Sequence, residues 1–364
     1  MTRWGALVAT YRRPDTVRIC LKLLLEQTRR PDEIIVVAAE GDELTQEETF
    51  ADLRAQLGTQ TRLIFVRSAK GLTRQRNAGI AHIGTETCLF LDDDCFAPPE
   101  FVDQLMQVFD ADHERLVGGV AGIPLEGAVA QSWWEAQNAG APLAGASAAP
   151  AGIGDWLKSW KSEARRGLER WNARYVGAVF PPVHFDPKFA LPSSLRDPSL
   201  KAVSWLPGGC TAYRTDALRR FKFCEAFAGY AAAEDVEFSY RVGREYCLVR
   251  NEAAILYHMQ VGSGRPDPRR MVFSSLLNLA YIARTAMPQD RALREFVLAH
   301  HLRASRAHAL MGVLGRRGLG EWRAGLEAYR ATEDLFNASE GGVDAKYREV
   351  CERWERESRH SRSS

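Results

Sequence analysis

Three consecutive carboxylates, Asp92, Asp93 and Asp94, follow the apolar run Leu89-Phe90-Leu91. Like charges this close repel and raise one another's pKa. A divalent cation relieves that repulsion, because Mg²⁺ or Mn²⁺ takes oxygen ligands and commonly bridges carboxylates to substrate phosphates. The plainer alternative is a solvated acidic turn that caps the next helix. A second acidic pair, Glu234-Asp235, opens the run Val236-Glu237-Phe238-Ser239-Tyr240-Arg241. Acidic residues favour the first turn of a helix through its dipole, so this pair has an ordinary structural reading too. His258 ends the apolar run 253–257 and precedes Gly262, Ser263, Gly264 and Arg265. Imidazole beside carboxylates suits Mn²⁺ better than Mg²⁺, although a histidine after a strand is more often structural. Gly208-Gly209 permits close backbone approach and positive φ. Trp205 suits a ligand face or a core equally well. Cys210 has nothing near it in sequence to lower its pKa, so it is not read as a nucleophile.

The elements that must hold these groups follow from the period of apolar residues. Residues 4–10, 33–38, 62–66, 88–91 and 116–123 read as strands. Helical spacing fills 17–27, 44–57, 72–83 and the stretch from Pro98-Pro99 to Phe109. Continuous apolar strands alternating with helices predict a mainly parallel sheet covered on both faces. In such sheets ligands bind beyond the carboxyl ends of the strands, so the residues ending each strand carry the most weight. The pattern loosens over 126–200, with an Ala/Gly/Pro-rich loop or lid at 139–154 and an amphipathic helix at 156–175 carrying Trp156, Trp160 and Trp171. A proline-punctuated extended stretch at 179–198 follows. A strand is expected at 203–206, helices at 216–221 and 234–241, and helix almost throughout after Arg269.

The order of these blocks resembles family 2 glycosyltransferases. Ala9-Thr10-Tyr11-Arg12-Arg13-Pro14, then Cys20-Leu21 and Leu25-Glu26-Gln27-Thr28, is similar to their opening, a strand ending in PTYNRP and a helix closing on Gln-Thr. Gly71-Leu72 with Arg74, Arg76, Asn77, Ala78 and Gly79 resembles the family's GLxxARNxGI block. Asp92–Asp94 falls where the family keeps its DXD metal motif, and Ala233-Glu234-Asp235 where it places a GED-type motif. The resemblance spans 4–120 and resumes over 205–258.

It implies a GT-A fold, α/β, with a single mainly parallel nucleotide-binding sheet flanked by helices and a C-terminal helical extension. It implies inverting transfer from a nucleotide-diphosphate sugar to an acceptor hydroxyl, in cell-surface glycan, polysaccharide or glycolipid biosynthesis. Thr10 and Tyr11 would border the nucleobase and ribose, with Arg13 also on the donor side. Arg76 would help hold the diphosphate, with Asn77 beside it. Asp92 and Asp93 would meet the donor, and Asp94 and His258 would ligate Mn²⁺ or Mg²⁺. Asp235 would be the general base, with Glu234 contacting acceptor or donor hydroxyls. Gly208 and Gly209 would lie beneath donor sugar and acceptor, beside Trp205. One block departs from the family. Where VVDDGSTD is usual, the chain has Val36-Val37-Ala38-Ala39-Glu40-Gly41-Asp42. Glu40 or Asp42 would then replace the missing base-reading carboxylate, unless backbone groups read the base.

These implications divide the chain into a catalytic domain, 1–265, and a helical region, 266–364. Within the former, 1–120 would bind the nucleotide sugar, 121–202 would be an inserted acceptor or lid region, and 203–265 would carry acceptor and base. The C-terminal helices would brace the core, pair subunits, or rest against a membrane bearing a lipid-linked acceptor. A glycan, glycolipid or small-molecule acceptor fits equally.

Rival readings are weaker. No GxGxxG turn follows the first strand, against a dinucleotide oxidoreductase. A phosphate-releasing hydrolase or nucleotidyltransferase could use the same carboxylates, but the Glu234-Asp235 helix followed by His258 suits sugar transfer better. A non-catalytic sugar-binding relative would not need all of Asp92, Asp94, Asp235 and His258. With 46% hydrophobic and 26% charged residues the chain has a soluble, globular balance. A formal net charge of +2 from 48 basic and 46 acidic residues gives no footprint for nucleic acid. Seven scattered cysteines, an odd number without a CxxC pair, favour a reducing cytoplasmic setting over a disulfide framework. No run reaches the roughly 18–20 apolar residues that span a bilayer, and no signal-like segment opens the chain. The expectation is a protein not integral to a membrane, compatible with peripheral contact at its inner face and with oligomers.

Overall fold

The computed structural model describes residues 1–57, 61–138, 187–227, 231–262, 267–313 and 319–363. The lid expected at 139–154, the helix at 156–175 and Ser263, Gly264 and Arg265 lie outside them. The described residues fall into two compact units, one within 1–138, 187–227 and 234–262, the other within 231–233, 267–313 and 319–363.

The first unit is built on one sheet. Its strands are β1 (Trp4–Thr10), β2 (Glu33–Ala39), β3 (Arg62–Ser68), β4 (Thr87–Asp92), β5 (Cys95–Phe96), β6 (Val117–Glu126), β7 (Leu200–Ala202), β8 (Cys210–Arg214) and β9 (Cys247–His258). They run in the order β3-β2-β1-β4-β8-β6-β9-β5, with β7 also beside β9. The parallel sheet expected from the sequence is found over β3-β2-β1-β4. Beyond β4 the pairing is mixed: β8 is antiparallel to β4 and β6, β6 is parallel to β9, and β5 and β7 are antiparallel to β9.

Alternation along β1 feeds two cores. Ala6 and Val8 pack in one layer with Val17, Leu21, Phe101 and Leu105, while Leu7 packs in the other with Ile35, Val37, Ile80 and Phe238. This burial on both faces is why β1 and β2 read as unbroken apolar runs. Helices α1 (Pro14–Leu25), α2 (Gln46–Leu57), α3 (Leu72–Ile80), α4 (Phe101–Ala111), α5 (Ala128–Gln137), α6 (Thr215–Phe221) and α7 (Glu234–Val242) complete the unit. Helix α1 starts on Pro14, where a missing N–H costs nothing, and buries Val17, Leu21 and Leu24. Gly71 precedes α3 at φ 141°, a conformation that side-chain-bearing residues rarely adopt.

Two glutamines tie helices to the strand ends. The Gln27 amide donates to the carbonyls of Ala97 (3.1 Å) and Pro98 (2.8 Å), and its oxygen accepts from Val102 N (3.1 Å). Gln75 Nε2 donates to the carbonyls of Thr10 and Val37, each at 2.9 Å. Such bonds leave few buried backbone groups unpaired where β1, β2 and β5 end.

The strand expected at 203–206 is absent; Leu200–Ala202 and Cys210–Arg214 are the strands there. Pro207 has no N–H to give a ladder, and Leu206 N donates instead to Ser239 Oγ at 3.0 Å. The segment becomes a loop across the end of the sheet.

The second unit is helical: α8 (Pro268–Ala286), α9 (Arg291–Val313), α10 (Leu319–Phe336) and α11 (Val343–Ser363). Asp267 caps α8 by accepting from Arg270 N at 3.1 Å. Phe273 of α8 stacks on Trp354 of α11, ring centroids 4.3 Å apart. All seven cysteines are free. Among the described residues no helix is long and apolar enough to cross a membrane.

Candidate active site

The aspartate run leaves the end of β4 beside the end of β1, because Ala9 pairs with Asp92. Asp93 and Asp94 turn inward and are almost wholly buried. Thr10 Oγ1 donates to Asp93 Oδ2 at 2.7 Å, and Arg13 Nη1 donates to Asp93 Oδ1 at 2.7 Å and Asp94 Oδ2 at 3.2 Å. Burial lifts the Asp93 carboxyl to about 7; Arg13 pulls it down and Asp94 pushes it up. Thr10 and Arg13 thus hold the aspartate run in place. Arg13 also donates to Val261 O at 2.9 Å, which closes the chain after β9 over the same carboxylates.

His258 arrives by register. It pairs with Cys95 across β5–β9 and with Glu126 across β6–β9. Its Nε2 lies 3.3 Å from Asp94 Oδ1 and its Nδ1 2.8 Å from Glu126 Oε1. Burial alone would lower its pKa, but the hydrogen bonds to Asp94 and Glu126 outweigh burial and raise it to about 10. Asp92, Asp94, Cys95 and His258 each offer a donor atom within 4.8 Å of the others. Oxygen and imidazole donors fit Mn²⁺ or Mg²⁺. The Cys95 thiol is pushed up by burial and then by Asp92 and Asp94, so it stays protonated and is a poor partner for a hard cation.

The acidic pair of α7 joins this cluster through Arg76. Only 2% exposed, Arg76 donates from Nη1 to Glu234 Oε1 (2.5 Å) and from Nη2 to Asp92 Oδ1 (3.1 Å) and Gly208 O (2.9 Å). Its guanidinium also lies over the Phe90 and Phe223 rings. Burial raises the pKa of Glu234, with Asp235 adding to it and Arg76 opposing. Burial likewise raises Asp235, against Arg76 and the backbone N–H groups around it. Asp235 is less buried than Glu234. It accepts from Gly208 N (3.1 Å) and Val236 N (2.9 Å), which fixes its carboxylate.

The paired glycines have a steric reason here. A Cβ at Gly208 would stand 2.6 Å from Glu234 Oε1, and one at Gly209 would stand 2.5 Å from Asp92 Oδ2. Without side chains the loop lets both carboxylates lie against its backbone. Trp205, on the same loop, is 46% exposed and so is no core residue. Burial, then Asp92 and Asp235, raises the Cys210 thiol pKa, in keeping with its reading as no nucleophile.

Other expected residues stand apart. Asn77 Nδ2 donates to Phe223 O and its oxygen accepts from Phe223 N, at 2.9 and 2.8 Å, a backbone latch rather than a free amide. Asp42 accepts from Arg12 N (2.6 Å) and Leu44 N (3.1 Å), so its carboxylate shapes the loop after β2. Glu40 is exposed. Tyr11 has Lys70 Nζ 4.0 Å from its ring centroid and Arg12 at 5.1 Å. Sequence reasoning missed Glu126, Lys70 and Cys95. Glu126 lies 132 residues from His258, and only strand register brings them together.

The central sheet flanked by helices is of the GT-A type, and the sequence points to a glycosyltransferase. More narrowly, residues 6–163 match the sequence profile described as Glycosyl transferase family 2. Comparison with curated proteins returns no match. Among solved structures, the chain is similar to mannosyltransferase PcManGT from Pyrobaculum calidifontis in complex with GDP-Man and Mn²⁺. The identity is 13% and the TM-score 0.48, over 96% of this chain and 86% of that one. It is also similar to S. aureus TarS 1-349, at 14% identity and TM-score 0.49 over 97% and 91% of the two chains. The same TarS fragment in complex with UDP-GlcNAc matches at 14% identity and TM-score 0.49, over 97% and 92%.

Proposed function

We propose that the chain transfers a sugar from a nucleotide-diphosphate donor to an acceptor hydroxyl with inversion. The observation that carries this reading is Arg76, whose two bonds make the strand-end carboxylates and the α7 acidic pair one site. Asp94 and His258, with Asp92 beside them, would hold a divalent cation, and that cation supplies positive charge against the leaving diphosphate. The bound nucleoside and ribose would lie at Thr10 and Tyr11, and the exposed Trp205 and Gly208-Gly209 would face the sugar and acceptor.

The base is Asp235. Glu234 is committed to Arg76, whereas Asp235 is held by two backbone N–H groups and is the less buried. A raised pKa improves a carboxylate as a proton acceptor, provided that it remains ionised. Asp235 takes the proton as the acceptor oxygen attacks the anomeric carbon, opposite the diphosphate. One such displacement inverts that carbon.

Asp235→Asn tests the assignment, because it keeps the shape and removes the acceptor of the proton. Turnover should fall by about 10² to 10⁴-fold, while donor and Mn²⁺ binding persist and the wild-type product shows the inverted anomer. Near-normal turnover would pass the role to Glu234, and a retained anomer would overturn the mechanism.

A further inference from the structure

Glu126 ends β6 directly opposite His258 in the ladder. Its two oxygens hold two points at the end of β9 and just past it: Oε1 lies 2.8 Å from His258 Nδ1, and Oε2 accepts from Gln260 Nε2 at 2.6 Å. Gln260 itself takes the left-handed conformation, φ 50°. Val261 N, next along, donates to Asp94 Oδ2 at 3.0 Å. The turn after β9 is therefore gripped by Glu126 on one side and Asp94 on the other, with the imidazole between them.

We infer that Glu126 is a positioning residue of the cation site, which accepts a hydrogen bond from Nδ1 of His258 and so keeps Nε2 turned toward Asp94. The inference rests on Asp94 and His258 being the ligands proposed above. An imidazole rotates about two side-chain bonds, and a carboxylate on its far nitrogen fixes both the rotation and the tautomer. Glu126 is itself about half exposed, so removing its side chain leaves the core untouched.

The test titrates Mn²⁺ alone into the full chain and reads free Mn²⁺ by electron paramagnetic resonance. Glu126→Ala should raise the Mn²⁺ Kd by about ten- to a hundred-fold, with an unchanged unfolding midpoint. Glu126→Gln, which keeps an oxygen for Nδ1, should stay close to wild type. Nitrogen-15 spectra should show the Nδ1-protonated ring of His258 in the wild type bound to diamagnetic Mg²⁺ and not in Glu126→Ala. Wild-type affinity in Glu126→Ala would overturn the inference. A Glu126→Gln variant as weak as Glu126→Ala would overturn it too, because charge rather than orientation would then be at work. A wild-type chain that takes up no Mn²⁺ would instead remove the ligand assignment on which the inference stands.

Discussion

Arg76 shows how much a single side chain has to satisfy. Its partners Asp92 and Glu234 lie 16 and 158 residues away. A buried guanidinium is tolerable when its fork is filled, and here it has two carboxylates and a carbonyl. Lysine carries one compact charge and cannot reach both carboxylates with separate parallel donors. Arg76→Lys should therefore leave Glu234 or Asp92 without its partner. Breaking a buried pair typically costs about 3–5 kcal/mol, and denaturant unfolding should report a loss approaching that range along with a collapse of transfer. Wild-type stability and turnover in Arg76→Lys would show that the fork is dispensable. The sequence made Arg76 visible through its place in the GLxxARNxGI-like block. It could not show the bond to Glu234, because no local pattern reaches that far.

At the level of elements, legibility followed length. Strands β1 to β3 and helices α1 and α4 stood out because each runs for seven or more residues, largely apolar in the strands and apolar at helical spacing in the helices. The two-residue β5 has no period to read, although it is what sets Cys95 opposite His258. Residues 203–206 looked like a strand because they are mostly apolar, whereas the missing N–H of Pro207 and the Ser239 hydroxyl, which takes the Leu206 N–H, decide the matter. The acidic pair was legible, whereas the turn that introduces it was not. Ala231 and Ala233 both take positive φ, 52° and 66°. An L-residue pays about 1–2 kcal/mol there, and glycine would escape it while losing roughly 0.5–1 kcal/mol to its freer unfolded chain. Ala231 is buried, so its methyl also packs; Ala233 is partly exposed and offers the cleaner comparison. Ala233→Gly should stabilise the protein by about 0.5–1 kcal/mol, visible as a higher unfolding midpoint. A lower midpoint would mean that the methyl group makes contacts worth more than the strained backbone.

Across the whole molecule, the two units handle buried polar groups differently. The first buries charges at the strand ends that form the site, Asp93 and Asp94 among them, and these could be anticipated from sequence. The helical unit buries two histidines, His300 and His301, that carry no sequence signal beyond adjacency within a helix. His301 Nδ1 lies 3.0 Å from Thr332 Oγ1. Burial, and then His300, lowers the pKa of His301 from 6.5 to about 3. Burial, and then Arg303, lowers that of His300 from 6.5 to about 4. Both are therefore neutral in the fold at neutral pH. As pH falls below 6.5 the unfolded chain takes up protons that the folded chain refuses until about 4 and then about 3. Stability rises with pH wherever the unfolded state holds more protons. The contribution of these groups is thus complete above 6.5 and is lost progressively on the way down to about 3. Amide hydrogen exchange on α9 and α10 should show protection weakening between about pH 8 and about pH 5, once intrinsic exchange rates are removed. His301→Gln cannot be protonated, so its pH dependence should be shallower, and His300→Gln provides a second comparison should the first variant fold poorly. Equal slopes in wild type and both variants would mean that neither histidine is held neutral by the fold.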